Sequence, residues 1–483
     1  MKTQMQSLLL VLACASLPVM TAAAQTFTTL HSFNSTNDGA YAAAGLIISG
    51  NTLYGTTYQG DTNGTVFAVN ADGTGFTTLH NFSATVYDGS ANTNSDGADP
   101  KGGLILSGST LYGTANGGGT TGNGTVFAVN TDGTGFTTVH NFTGVSGGNS
   151  PFAGLILSGS TLYGTVYGGG TYGFGAVFAV NTDGSDFTIL HSFNSTNDGA
   201  YPVAGLVLSG NTLYGTVDQY GPNDGGTVFA VNTNGSDFTV LCSLYYNGVN
   251  GANPVSGLII SSNILYGTLS AGGTSGNGTV FAVSTNGTDF TTLHNFSADS
   301  YNGSTFTNND GANPKAGLIL SGNTLYGTAT YGGPNGNGTV FVINTNGTGF
   351  TNLYSFVALP SGESGPGSPP PPPQTNSSGA YPYAGLILSG STLYGTAYGG
   401  GNSADGTVFS FALLPPPPPS LNIVPVTGNN QSVIYWPGSG NYVLQSTTNL
   451  VSPNWVTATD AVPVNAFTVS NTLPARYFRL QSP

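Results

Sequence analysis

The sequence predicts an all-β protein: a seven-bladed β-propeller of four-stranded blades closed by its N-terminal strand, with a small C-terminal β-sandwich after it. Three observations predict this. Leu-Tyr-Gly-Thr occurs seven times, with its tyrosine at Tyr54, Tyr112, Tyr163, Tyr214, Tyr266, Tyr326 and Tyr394. Each copy is framed by three other short segments, β-branched or aromatic and bounded by Gly, Asn, Asp or Ser, which read as strands. The ends of the array are offset. A lone fourth-type segment, Phe27 to Phe33, precedes the first repeat, and the last repeat stops at Phe409-Ser410-Phe411 without one. Four strands in about 50 residues, repeated seven times, is the arithmetic of a propeller. The rival is a β-solenoid, whose coils are shorter and need no four distinct strand types.

The elements follow in order. Residues 1–24 read as a secretory signal peptide: Lys2, the apolar Leu8 to Ala13, then Ala22-Ala23-Ala24 before Gln25. Lipoprotein processing at Cys14 is the alternative. The propeller is assigned to 25–414. Its first strands begin at Gly45, Gly103, Gly154, Gly205, Gly257, Gly317 and Gly385, and its third strands carry Val-Phe pairs from Val66-Phe67 to Val408-Phe409. Its fourth strands read Phe-Thr-x-Leu-His-x-Phe. Simple alternation puts Phe27, Thr29, His31 and Phe33 on one side of the strand. The N-terminal strand completes the last blade and removes an open edge. Tight turns such as Ser49-Gly50-Asn51 fall on one face. The Gly-rich loops and the variable crossovers between blades fall on the other, a plain face opposite a loop face. The proline run 369–373 is an excursion within the last crossover.

Pro415 to Pro419 make a stiff linker, assigned to 415–420. In 421–483 the composition shifts, with both tryptophans (Trp436, Trp455) and both arginines (Arg476, Arg479). The alternating runs there read as about six strands. The segment resembles the fibronectin-III or immunoglobulin-like modules appended to bacterial secreted proteins. It reads either as a spacer or as a carbohydrate-binding module using Trp455.

The linked motifs Gly-Leu-x-Leu, Leu-Tyr-Gly-Thr, the Gly-Gly-rich loop and Gly-Thr-Val-Phe recur in order over roughly 26–412. In this the chain resembles the GloVer tandem repeat of bacterial secreted or surface proteins. The resemblance implies export, surface display and a propeller, and brings no catalytic residues with it. The chain departs from that class in lacking an obvious C-terminal sorting anchor.

Composition narrows the chemistry. Only 5% of residues are charged, against a usual ~25%, so polar surface must come from Asn, Ser, Thr and backbone. With 5 basic residues against 19 acidic ones, nucleic acids and anionic membranes are poor partners. No apolar run after the leader is long enough to span a bilayer. The same region keeps one cysteine, Cys242, so no intrachain disulfide is expected. The five histidines (His31, His80, His140, His191, His294) all occupy one slot of the fourth strand, spread round the ring. They read as structural rather than as a metal or nucleophile site. Asp72, Asp132 and Asp183 exchange with Asn234, Asn286 and Asn346 in one turn position. That interchange fits turn formation and not a general base.

Two patterns remain as candidate sites. The position four after each Leu-Tyr-Gly-Thr tyrosine varies within a constant frame: Tyr58, Asn116, Tyr167, Asp218, Ser270, Thr330 and Tyr398. Of these, Tyr58, Asn116, Tyr167, Asp218 and Tyr398 are taken as ligand-binding. Tyrosines among amides suit a neutral polysaccharide or surface glycan, an apolar face for the sugar ring and amides for its hydroxyls. Asn92, Asn94 and Asp96, at alternate positions before Gly97, have a spacing that can wrap calcium. An Asx-type turn explains the same pattern. The expected protein is thus a monomeric, exported, non-enzymatic adhesion or glycan-binding propeller. The alternatives are a polysaccharide-active enzyme using crossover aspartates such as Asp96, Asp99 and Asp310, and a purely structural surface or spacer protein.

Overall fold

A computed structural model describes residues 25–413 except 61–62, 247, 304 and 361–373, and beyond 421 only the strands of the C-terminal segment. The leader and the linker assigned from sequence, Trp436 and Trp455, and the prolines of 369–373 lie outside the described residues.

Seven four-stranded antiparallel sheets follow one another from 25 to 413. The first blade holds Ile47–Ser49, Thr52–Thr57, Thr65–Asn70 and Thr77–Asn81, hydrogen-bonded in that order. Its third strand, Thr-Val-Phe-Ala-Val-Asn, is buried at every residue but the last. A near-continuous apolar run is what a strand covered on both faces requires, because neighbouring blades pack against both sides of it. In the second strand Gly55 pairs with Phe67. A methyl group there would come within 2.6 Å of the Phe67 ring, so the glycine of Leu-Tyr-Gly-Thr makes room for the phenylalanine of the next strand.

The ring closes as expected. Thr26–Ser32 joins Thr407–Ala412, with Phe27 opposite Phe411 and His31 opposite Val408. The apolar core is divided into clusters at the blade junctions. One of them brings Phe33, Tyr394 and Val408 of the last blade against Leu46, Leu53 and Phe67 of the first.

Two further devices repeat at each junction. The buried threonine of Leu-Tyr-Gly-Thr donates its hydroxyl to a carbonyl of the next blade: Thr114 to Ala153 at 2.8 Å, Thr268 to Ala316 at 3.0 Å, and, across the closure, Thr396 to Ala44 at 3.2 Å. Beside these carbonyls, the glycines that open the first strands form a ring. A Cβ placed on Gly154 would lie 2.8 Å from the Gly103 carbonyl oxygen, and one on Gly45 would lie 3.6 Å from that of Gly385.

The fourth strand corrects the simple alternation. In every blade its register slips by one residue, so that Val66 faces His80 while Phe67 faces Thr78. The bulged residue, Leu79 here and Leu30 in the N-terminal strand, reverses the sides beyond it. Phe27 therefore stacks backwards on Tyr354 of the preceding blade, at 4.0 Å between ring centroids, while His31 stacks forwards on Phe76 of the following blade, at 3.7 Å. The same forward stack joins His80 to Phe136, His140 to Phe187, His191 to Phe238 and His294 to Phe350. Such pairs are worth ~0.5–1.5 kcal/mol beyond their buried area. Cys242 takes the slot in the fourth blade and packs against the same core cluster as Phe290 of the fifth. Burial pushes its thiol up to about 11, so it is a packing group rather than a nucleophile at neutral pH.

In the C-terminal segment, Asn422–Val426, Gln431–Tyr435 and Ala466–Ser470 form one three-stranded antiparallel sheet. Val456–Thr457, Val443–Thr447 and Tyr477–Gln481 form another.

The glycine ring yields a graded expectation. Gly154→Ala should destabilise the propeller by about 1–3 kcal/mol, the usual cost of overpacking, while Gly45→Ala, with more room, should cost less than half as much. Thermal and denaturant unfolding of the two variants would check this; equal losses would refute the ring as the tight point.

Candidate functional site

The crossover entering each blade and that blade's Gly-rich loop are tied together on one face. Single antiparallel bridges pair Ala40 with Gln59, Ala98 with Gly117, Asn149 with Gly168, and so on through Ala380 with Gly399. Past each bridge the chain descends toward the glycine ring with alternate residues buried. Ala42, Ala44 and Leu46 are buried, and Tyr41, Ala43 and Gly45 between them are half-exposed. The same alternation holds in the other six blades, save that Leu206, which ends it in the fourth, is half-buried.

The first exposed residue of each descent has a left-handed backbone: Tyr41, Asp99, Ser150, Tyr201, Asn253, Asn313 and Tyr381, with φ between 50° and 63°. Proline follows it in all blades but the first, which bars the right-handed helical region. A non-glycine residue held there stores strain, and strain of this kind concentrates at functional sites. The carbonyl of each accepts a hydrogen bond from the amide of the variable slot: Tyr41 from Tyr58, Asp99 from Asn116, Ser150 from Tyr167, Tyr201 from Asp218, and Tyr381 from Tyr398. Each blade thus presents three varying residues at the mouth of the central channel: the left-handed residue, the one two further on, and the slot.

The structure brings the five slot candidates to this mouth in two groups. Tyr58 and Tyr398 sit on adjacent blades, and Tyr398 stacks on Tyr41 at 5.0 Å. Tyr383 lies 5.0 Å from Tyr398, and its hydroxyl is hydrogen-bonded to that of Tyr331 at 2.7 Å. Burial first, and then the neighbouring phenols, push Tyr398 up and Tyr383 beyond the ordinary tyrosine range. On the other side Tyr167 stacks on Tyr201 at 4.7 Å and meets Phe152 edge-on at 5.2 Å. Asp218 is pushed up by burial, against the hydrogen bonds of Asn253 and Gln219 and the charge of Lys315. Asn116 lies between the groups with its Oδ1 buried and unpartnered. Ser270 and Thr330 are buried, so these two slots contribute little surface.

Sequence reasoning missed the left-handed residues and the lysines. Lys101 stands over Tyr58 at 4.1 Å and Phe152 at 4.9 Å, and Lys315 over Tyr383 at 4.8 Å, as cation–π partners. The signal was available: both positions vary in a frame that is otherwise constant, as the slot does.

The crossover aspartates do other work. His31 pairs with Asp38 at 2.7 Å, His80 with Asp96 at 3.0 Å, His191 with Asp198 at 3.1 Å and His294 with Asp310 at 2.9 Å. Asp96 also accepts from the amide and hydroxyl of Ser83, and Asp310 from those of Ser297. Each carboxylate is thus a clasp that ties the end of a fourth strand to the next crossover. Burial opposes the charge of both, but the bonds from His and Ser outweigh it and hold Asp96 and Asp310 below the usual carboxylate range. Asp99 is different: it stands at the mouth, pushed up by burial against the charge of Lys101.

In the suggested calcium loop, Asn94 Oδ1 accepts from the amides of Gly97 and Gly119, and its amide nitrogen donates to the carbonyls of Ser83 and Gly97. Asp96 offers one unpartnered oxygen, Oδ1, while Asn92 lies in a short hairpin, Val86–Tyr87 with Asn92–Thr93. Asn94 therefore serves as an Asx-type brace.

The Gloeobacter/Verrucomicrobia repeat matches residues 18–167, 90–243 and 146–305, overlapping spans that together cover more than half of the chain. The chain belongs to this repeat family. No curated protein matches it. Among solved structures, an oligogalacturonate lyase in complex with manganese is 11% identical over 82% of this chain and 95% of its own, with a TM-score of 0.47. A chain of the mitotic checkpoint complex is 15% identical over 86% and 100%, with a TM-score of 0.47. A puromycin-hydrolysing peptidase of Mycobacterium tuberculosis is 12% identical over 86% and 62%, with a TM-score of 0.45.

In this repeat protein the second blade's clasp is broken. Gly147 stands where an aspartate would be, and His140 Nε2 is buried without a partner. Desolvation holds His140 below the usual histidine range; desolvation also lowers His191, against the pull of Asp198. Unfolding therefore takes up protons once the pH falls below about 6.5, the unfolded value, so stability is full above that pH and declines below it. Depressed Asp96 and Asp310 add a second loss below about pH 4, as the pH falls through their folded values. His140→Tyr, which places in the second blade the residue found at Tyr354 in the sixth, should flatten the fall in melting temperature between pH 7.5 and 5. Differential scanning calorimetry across that range would check it, and an unchanged slope would refute it.

Proposed function

We propose that this is an exported surface or extracellular repeat protein whose propeller binds a neutral, hydroxyl-rich glycan at the loop-face mouth of its channel, without catalysis. One observation carries the reading: the positions that vary between blades converge on the mouth, while the residues that build the blades repeat. Aromatic faces at Tyr58, Tyr398, Tyr167 and Tyr201 give sugar rings something to stack on. The Asn116 side-chain amide, half-exposed at the mouth, supplies a hydroxyl partner. Asp96 and Asp310 are committed to their clasps, which takes two of the three crossover aspartates out of the hydrolytic reading and leaves Asp99 at the mouth. Among the described residues no three His, Cys, Asp or Glu side chains gather as a metal site, and no helix is long and apolar enough to cross a membrane.

The test is a glycan array together with insoluble and soluble neutral polysaccharides, using the full chain. Tyr58→Ala combined with Tyr167→Ala should weaken binding about tenfold or more, the loss of two stacking contacts, with little change in melting temperature. Binding that survives the double variant would exclude this face. Self-association with no glycan bound would favour the purely structural reading.

A further inference from the structure

The fourth blade departs from the other six. Its third strand, Asp224–Asn232, has nine residues and its fourth, Thr239–Tyr245, has seven; the corresponding strands of the first blade have six and five. The extra length pairs Asp224 with Tyr245 and raises a wall on the loop face. Against that wall lies a cavity of about 980 Å³, lined by Gln219, Tyr220, Asn223, Asp224, Tyr245 and Tyr246. The three tyrosines are 44%, 62% and 59% exposed, far more than an aromatic side chain serving the core. Tyr220 and Asp224 both hold a left-handed backbone, with φ of 60° each, so the floor is strained rather than relaxed.

This groove opens into the mouth. Asn253 lines it and also belongs to the left-handed ring, and its amide donates to Asp218 Oδ1 at 3.1 Å. Gln219, at the other lip, donates to Asp218 Oδ2 at 3.1 Å. Aromatic rings mark the path. Phe152, Tyr167 and Tyr201 succeed one another at the mouth, Tyr220 lies 6.0 Å beyond Tyr201, and Tyr245 and Tyr246 stand on the far wall. The groove carries Asp224 as its one ionisable acid and no cation, while both lysines of the described propeller stand at the mouth. Exposed ring faces among amides, with no cation in the groove itself, disfavour an anionic ligand and suit a chain of neutral sugars.

The geometry points to an extended polysaccharide as the ligand, one that passes from the channel mouth across the fourth blade and is held at its far end by Tyr245 and Tyr246. This rests on the glycan reading of the mouth and adds a second subsite to it, so affinity depends on chain length. Affinity electrophoresis of the full chain in hydroxyethyl cellulose, laminarin and galactomannan tests it, with cellotriose, laminaritriose and mannotriose measured by calorimetry. Tyr245→Ala combined with Tyr246→Ala should weaken polymer binding about tenfold and leave trisaccharide affinity and melting temperature unchanged. The paired Phe substitutions, which keep the ring faces, should bind polymer as the wild type does. Undiminished polymer binding by the alanine pair would overturn the groove and leave the mouth reading standing, as would an equal loss for polymer and trisaccharide. A wild-type protein that binds none of the polymers would overturn both.

Discussion

Everything in the propeller depends on one contact being made seven times and then closing on itself. At each junction a buried threonine hydroxyl reaches the carbonyl just before the next blade's glycine, and that glycine lies against its counterpart in the preceding blade. A hydrogen bond of this kind contributes only ~0.5–1.5 kcal/mol net. Leaving it unmade would strand a buried carbonyl at greater cost, and a side chain at the glycine would force the blades apart. Small errors cannot be absorbed locally, because the last junction, Thr396 to Ala44, is made by residues 352 apart in sequence. This explains why Leu-Tyr-Gly-Thr and Gly-Leu recur with so little change while neighbouring positions drift.

Farther out, the junctions tolerate substitution when both partners change together. Four blades pair His with Asp. The sixth places Tyr354 beside Ser378, whose hydroxyl accepts the Val357 amide as Asp96 accepts that of Ser83. The fourth blade has Cys242 in the histidine slot, and Asn250 fills the aspartate slot of the crossover that follows it. What persists in six of the seven junctions is a flat ring stacked on the next blade's phenylalanine. The polar clasp above that stack is interchangeable. A catalytic histidine would not be replaceable in this way, so the spread of His round the ring, legible from sequence, has its explanation in packing.

The strands and the closure were legible because each strand type is buried in its own manner and carries its own residues. The bulge in the fourth strand was not, since an extra leucine such as Leu30 leaves the apolar pattern looking unbroken while it turns His31 to the other side. The slot residues could be singled out because they vary within a constant frame. Tyr41, Tyr201 and Tyr381 could not be recognised as strained, because a left-handed tyrosine runs against residue preference and is held only by the bridge before it and the backbone bond to its slot partner. The long groove of the fourth blade depends on a three-residue extension of one strand, which in sequence is hidden inside a Gly-rich loop that varies in every repeat.

The scarcity of charge acquires a physical meaning at the mouth. Lys101 and Lys315 are the cations of the described propeller, and both lie over aromatic rings. An ammonium held against a ring face in this way is already partly satisfied, and an anionic ligand would have to compete for it while meeting Asp99 and Asp218 nearby. Burial pushes both acids up from the ordinary aspartate value, and neither offers an anion an attractive partner. Shape and hydrogen bonding are then left to select the ligand, and the groups available are phenol faces, amides and hydroxyls. A hydroxyl-rich neutral chain uses all three, whereas an apolar ligand would leave the amides unpaired at a cost.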